Sequence, residues 1–187
     1  MPETDLIVTA EDIQGLVNET LPTESLQKAA EAATTEVRDY CGWRVAKSAS
    51  ETAVVPSRGG GRIFLPSLHV TDITSIMVKG EAVDLDEVDW SAAGVIELLH
   101  GRWPRTQRGI TVTFTHGYSA CPGGVMKAIA AMASRGILVP AGGIASEGAI
   151  GQNVVYSRRS AGGMVAGGMF VDDELERLDQ YRLAGSR

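Results

Sequence analysis

Ile110-Thr111-Val112-Thr113-Phe114-Thr115-His116-Gly117-Tyr118, with Pro122 four residues on, is where a strand pattern hands over to a helix pattern. Ile110, Val112 and Phe114 fall on one side and Thr111, Thr113 and Thr115 on the other, the period of two that a half-buried strand requires. Pro122 suits the first position of a helix, where a missing N–H costs nothing. Beyond it Val125, Ile129, Met132 and Ala133 mark a main stripe, while Met126, Ala128, Ala130 and Ala131 make the other faces nearly as apolar. A helix apolar all round is buried on more than one side. In a chain this small, part of that burial is expected from another subunit, with Met126, Ala130 and Met132 as subunit-interface candidates.

Working upstream, the strand pattern reaches back about seventy-five residues to a second helix signal. Thr9-Ala10-Glu11-Asp12 reads as a capping box, with Asp12 in the place usual for Glu or Gln, and predicts a short helix over 10–19. Leu21-Pro22-Thr23 breaks it. Thr23 can cap a longer helix whose stripe is Leu26, Ala29, Ala30, Ala33, Val37 and Tyr40, with Gly42 as its stop. Three hairpins are expected in the insert: around Ser57-Arg58-Gly59-Gly60-Gly61, Lys79-Gly80-Glu81 and Ser91-Ala92-Ala93-Gly94. Hairpin-joined strands make an antiparallel sheet, either a small sandwich or a partly open barrel. From 136 to 168 the chain is glycine-rich, with a brief strand expected at Val154-Val155-Tyr156. Asp172 reads as the cap of a last helix lined by Leu175, Leu178 and Tyr181 and ended by Gly185. The expected fold class is therefore α+β: a small helical bundle, an antiparallel β sub-domain inserted between its second and third helices, and a C-terminal helix. The segments are 1–43 for the N-terminal helices, 44–118 for the β sub-domain, and 119–187 for the third helix, glycine-rich loop and C-terminal helix.

Composition narrows the function. The 187 residues carry a formal net charge of −6, which argues against a surface built to neutralise phosphates. Cys41 and Cys121 have no metal-type or CxxC spacing and read as reduced thiols. The start lacks a basic segment followed by an apolar run, and no apolar stretch approaches the roughly 20 residues that span a bilayer, so a soluble cytoplasmic product is expected.

The residue types that carry chemistry elsewhere do not assemble here into a known motif. His69, His100 and His116 are scattered, without HExxH or paired Cys/His spacing. Gly117-Tyr118-Ser119-Ala120 lacks the second glycine of a nucleophile elbow, which leaves an esterase-like Ser119–His116 pair without its usual context. Gly59-Gly60-Gly61-Arg62 lacks the lysine and Ser/Thr of a phosphate loop and reads as a hairpin tip. No catalytic residue, metal or cofactor is expected. Arg158 and Arg159 are loop-contact or DNA-channel candidates. Trp43, Trp90 and Trp103 read as pins of a β core. Stacking on bases in a single-strand nucleic-acid-binding module with a partly open barrel is the alternative.

Several stretches, in order, resemble the head-to-tail adaptors of tailed bacteriophages, the head-tail connector proteins. They are Arg38-Asp39-Tyr40-Cys41-Gly42-Trp43, the run from Phe64 to Ile76, Val78-Lys79-Gly80, Gly94-Val95-Ile96, Gly101-Arg102-Trp103-Pro104, Thr115-His116-Gly117-Tyr118 with Pro122, Glu147-Gly148-Ala149-Ile150-Gly151 and Leu178-Asp179-Gln180-Tyr181-Arg182. The glycine-rich link 162–168 departs from that pattern. The resemblance implies a non-enzymatic structural protein that forms a homo-oligomeric ring, usually a dodecamer, beneath the portal protein. Such a ring extends the channel through which double-stranded DNA passes without sequence-specific binding, and it docks a stopper or tail-completion protein. The resemblance also implies location in the virion neck after assembly in host cytoplasm, no membrane partner, and a portal contact around Leu175, Leu178, Tyr181 and Arg182. Another phage neck or tail-completion protein is the neighbouring reading.

Overall fold

The computed structural model describes residues 6–17, 20–138, 146–149, 152–155 and 170–184. The chain is α+β, a small helical bundle with an antiparallel β sub-domain inserted between its second and third helices, followed by a C-terminal helix. It divides into two compact units, a helical one of residues 1–40 and 121–180 and a β one of residues 41–120 and 181–187.

In the helical unit, α1 (Ala10–Gln14) opens with the expected capping box: the Thr9 hydroxyl accepts from Asp12 N–H at 3.1 Å and the Asp12 carboxylate accepts from Thr9 N–H at 2.8 Å. It is shorter than its periodicity predicts, because Gly15 occupies its C-cap. Leu6, Ile7 and Val8 just ahead of it are buried, and Ile7 N–H is satisfied by the Thr34 hydroxyl at 3.1 Å. Helix α2 (Thr23–Cys41) starts one residue early, with Thr23 inside it and Pro22 C=O accepting from Leu26 N–H. It buries Leu26, Ala30, Ala33, Thr34 and Val37, at the three- and four-residue spacing of one helix face. Helix α3 (Gly123–Leu138) packs against α1 and against α4 (Asp172–Asp179). At α4 the cap is Val171 and Asp172 is the first helical residue. The Glu174 carboxylate accepts from Val171 N–H at 3.0 Å, satisfying the N–H of the cap residue itself, as the N3 carboxylate of a capping box does. The proposed stop at Gly185 and the link 162–168 lie outside the described residues.

In the β unit, β1 (Ala49–Arg58), β2 (Arg62–Phe64), β3 (Val70–Val78), β4 (Glu81–Val83), β5 (Val88–Trp90), β6 (Val95–Leu98) and β7 (Arg105–His116) form two sheets, ordered β1-β7-β3-β4 and β2-β6-β5. Two of the three expected hairpins exist. Strands β3 and β4 pair around Lys79 (φ 52°) and Gly80 (φ 92°), the left-handed pair a two-residue hairpin turn needs. Strands β5 and β6 pair Val88 with Leu98 and Trp90 with Ile96. The first hairpin is a correction: β1 pairs along its length with β7, and β2 pairs with β6 in the other sheet. Gly59-Gly60-Gly61 carries the chain between sheets, with Gly60 C=O taken by Trp103 N–H and Gly61 C=O by Leu98 N–H. A glycine turn between two strand patterns looks the same in sequence whether the strands pair with each other or part company.

One core serves both sheets. Val55, Ile63, Ile76, Ile96, Trp103, Ile110, Val112 and Phe114 are all within it and nearly inaccessible, each contributing about 1.5–3 kcal/mol of burial. Strand β8 (Ser146–Ala149), not foreseen, pairs with β9 (Gln152–Val155), where a brief strand was expected.

Candidate assembly surfaces

Along α3, Val125, Ala128, Ile129, Ala130, Met132 and Ala133 are buried. Two of the three subunit-interface candidates, Ala130 and Met132, therefore contribute packing, and Met126 alone stays half-buried. The apolar groups left open lie elsewhere. Among the described residues the exposed large hydrophobics are Leu16, Val54, Phe64, Met77, Leu85, Trp90 and Leu99. All but Leu16 belong to the β unit.

Near its C-terminus the chain splits its duties. In the helical unit Leu178 is fully buried and Leu175 half-buried, and the Tyr40 hydroxyl donates to Asp179. The residues after α4 belong to the β unit, where Tyr181 C=O accepts from the Trp43 indole and Leu183 N–H donates to Cys41 C=O. Tyr181 and Arg182 are each half-buried there. Arg158 and Arg159 lie outside the described residues.

An aromatic cluster in the β unit holds these ends. His69 stacks on Tyr118 at 4.1 Å, Tyr118 meets Tyr181 edge-on at 6.1 Å, and His116 lies 4.7 Å from Phe114. His116 is almost inaccessible and its Nε2 is 3.0 Å from Glu51 Oε2. Burial pushes its pKa down, Glu51 pulls it back up, and Arg44 adds a smaller downward push. Its Nδ1 is buried with no hydrogen-bond partner among the described residues, so neither ring nitrogen serves the exposed Ser119. Trp43 and Trp103 are buried core residues, as expected of β pins, whereas Trp90 is 38% exposed. Cys41 and Cys121 are not disulfide-bonded. Among the described residues no helix is long and apolar enough to cross a membrane, and no three His, Cys, Asp or Glu side chains gather as metal ligands. Sequence reasoning missed Glu51 as the partner of His116, because 65 residues separate them. It also missed the buried Leu6-Ile7-Val8, whose signal was an apolar run ahead of a capping box.

A helical bundle with a two-sheeted β unit between its second and third helices, its spare apolar surface on that β unit, defines the class of protein. The chain belongs to the head completion protein family: residues 7–134, from the buried lead into α1 through most of α3, match the family model. No curated protein matches it in sequence. Solved structures share the fold, among them three from gene transfer agent (GTA) particles. A chain from the neck of an empty GTA particle computed with C6 symmetry has a TM-score of 0.58 at 15% identity, covering 94% of this chain and 88% of that one. One from the neck of a native GTA particle computed with C12 symmetry has a TM-score of 0.60 at 14% identity, covering 98% and 91%. One from the virion of a native gene transfer agent particle has a TM-score of 0.61 at 14% identity, covering 100% and 96%.

Proposed function

We propose that this chain is a non-enzymatic adaptor in the neck of a phage or phage-like particle. Copies of it close into a ring, twelve in number, beneath the portal, extend the DNA channel and present a docking face to a stopper or tail-completion protein. The observation that carries the reading is the match of residues 7–134 to the head completion family. Support comes from the fold, shared over nearly the whole chain with neck chains whose particles were computed with six- and twelve-fold symmetry. Closed cyclic symmetry requires each copy to offer two different surfaces to its neighbours, and the β unit has apolar surface to spare. A net charge of −6 suits a channel wall along which DNA slides without being held. With Leu178 committed to the helical core, a portal contact at this end falls to Leu175, Tyr181 and Arg182. The single-strand binding alternative loses two of its three stacking candidates, since Trp43 and Trp103 are buried. Cryo-microscopy of particles that carry the chain is the test: density for it beneath the portal is expected, and density anywhere other than the neck refutes the reading.

A further inference from the structure

Charge in the β unit is sorted by sheet edge. The segments 56–64 and 101–109 hold five arginines, Arg58, Arg62, Arg102, Arg105 and Arg108, and no acidic residue. The segment 81–94 holds five acids, Glu81, Asp84, Asp86, Glu87 and Asp89, and no basic one. All ten are exposed. Strands β1 and β2 are the edges of their two sheets at one side; β4 and β5, joined through the short 3-10 turn Leu85–Glu87, are the edges at the other. The outer strands are thus about 14 Å apart in the four-stranded sheet and about 10 Å apart in the three-stranded one. One flank of the unit is basic and the opposite flank acidic; Arg105 and Arg108 lie on β7, one strand in from the edge, and Lys79, whose N–H donates to Gly109 C=O, stands in the β3–β4 turn two residues before Glu81.

Both flanks hold like charges in register. Arg58 faces Arg105 across β1 and β7, and Asp89 faces Glu97 across β5 and β6. Directly opposed like charges weaken a sheet. Glu97 already reaches Arg62 at 2.9 Å, which leaves Arg58 and Arg105 on one flank, and Asp86, Glu87 and Asp89 on the other, without a salt bridge among the described residues and open to relief from outside. Apolar groups accompany each set. On the basic flank, Phe64 is 66% exposed beside a cleft of about 510 Å³ lined by Pro56, Arg58, Arg62, Ile63 and Gln107. On the acidic flank, Leu85 and Trp90 are the exposed large apolar side chains.

We infer that the basic flank of one copy receives the acidic flank of the next, with Leu85 and Trp90 entering the cleft between β1 and β2. A polyanion such as DNA would use the arginines and leave the acidic flank without a role. A second copy, docked head to tail, uses both at once, and repetition of that contact closes a ring. The inference rests on the ring reading and names the surface that builds it.

The test reverses each flank at positions whose side chains hold no other partner among the described residues. One variant carries Arg58→Glu with Arg105→Glu, another Asp86→Arg with Asp89→Arg; Asp84 is spared because its carboxylate caps the 3-10 turn. Copies per particle are counted by mass spectrometry and located by cryo-microscopy. Each single-flank variant is expected to fall at least tenfold in copies. A chain carrying both reversals, or an equal mixture of the two variants, is expected to recover most of the loss, because every contact is then complementary again. Misfolding would not be rescued by adding the second pair of substitutions. Unchanged incorporation of both variants overturns the inference and leaves the ring reading standing. Loss confined to the arginine variant, without rescue, overturns it in favour of a phosphate contact. Absence of the unaltered chain from the neck would instead bring down the ring reading, and this inference with it.

Discussion

Substituting Gly94 by alanine probes how the β unit is closed, and Gly80 is its natural control. Both residues have left-handed backbones, with φ of 78° and 92°, so alanine at either costs about 1–2 kcal/mol in conformation alone. Their surroundings differ. A Cβ on Gly80 meets nothing within 4 Å, whereas one on Gly94 would lie 2.6 Å from the Ser67 carbonyl oxygen and 3.3 Å from Leu65 Cβ. The former is backbone and can yield only if the turn moves. That turn is held by Leu65 N–H donating to Gly94 C=O at 2.8 Å and by Gly94 N–H donating to Ser91 C=O at 2.9 Å, each bond contributing about 1 kcal/mol. Gly94→Ala is therefore expected to cost about 3–4 kcal/mol and Gly80→Ala about 1–2. In a chain of this size that is a fall in Tm of roughly 6–16 °C against roughly 2–8 °C. All three tryptophans, Trp43, Trp90 and Trp103, lie in the β unit, so fluorescence-monitored urea unfolding reports that unit directly. Equal losses in the two variants would refute the argument from close approach.

The other expectations concern the core and the two unusual titrating groups. Phe114→Ala, which empties a fully buried position in the shared core, is expected to cost about 3–5 kcal/mol, read by the same unfolding assay. His116 resists protonation in the folded state, since burial holds its pKa below the ordinary 6.5, while the unfolded chain takes up the proton at its usual pH. Its contribution is thus complete above pH 6.5 and lost as the pH falls through the lower folded value. Urea midpoints between pH 7 and 5 should fall less steeply in His116→Gln than in the unaltered chain, and more steeply in Glu51→Gln, which removes the group that favours the imidazolium. Cys121, pushed up to about 12 by burial and secondarily by Asp12, should react with iodoacetamide at pH 8 about a thousandfold more slowly than an exposed thiol. Unfolding in urea should restore the ordinary rate.

What the chain's letters determined is what depends on neighbours a few residues away. The Thr9–Asp12 box, the stripe of α2, the Lys79-Gly80 turn and the alternation from Ile110 to Phe114 are local patterns, and each became the element its spacing predicts. The order of helices around a β insert followed from them. Tertiary structure decided everything set by partners far along the chain. It sent β1 to β7 and β2 to β6 across a glycine turn that reads as a hairpin. It brought Glu51 to His116 and Thr34 to Ile7. It spent most of the apolar face of α3 inside the chain and left Phe64, Leu85 and Trp90 open on the sheet edges. Hydropathy says that a side chain prefers to leave water; only the packed fold says whether the chain itself covers that side chain or leaves it exposed.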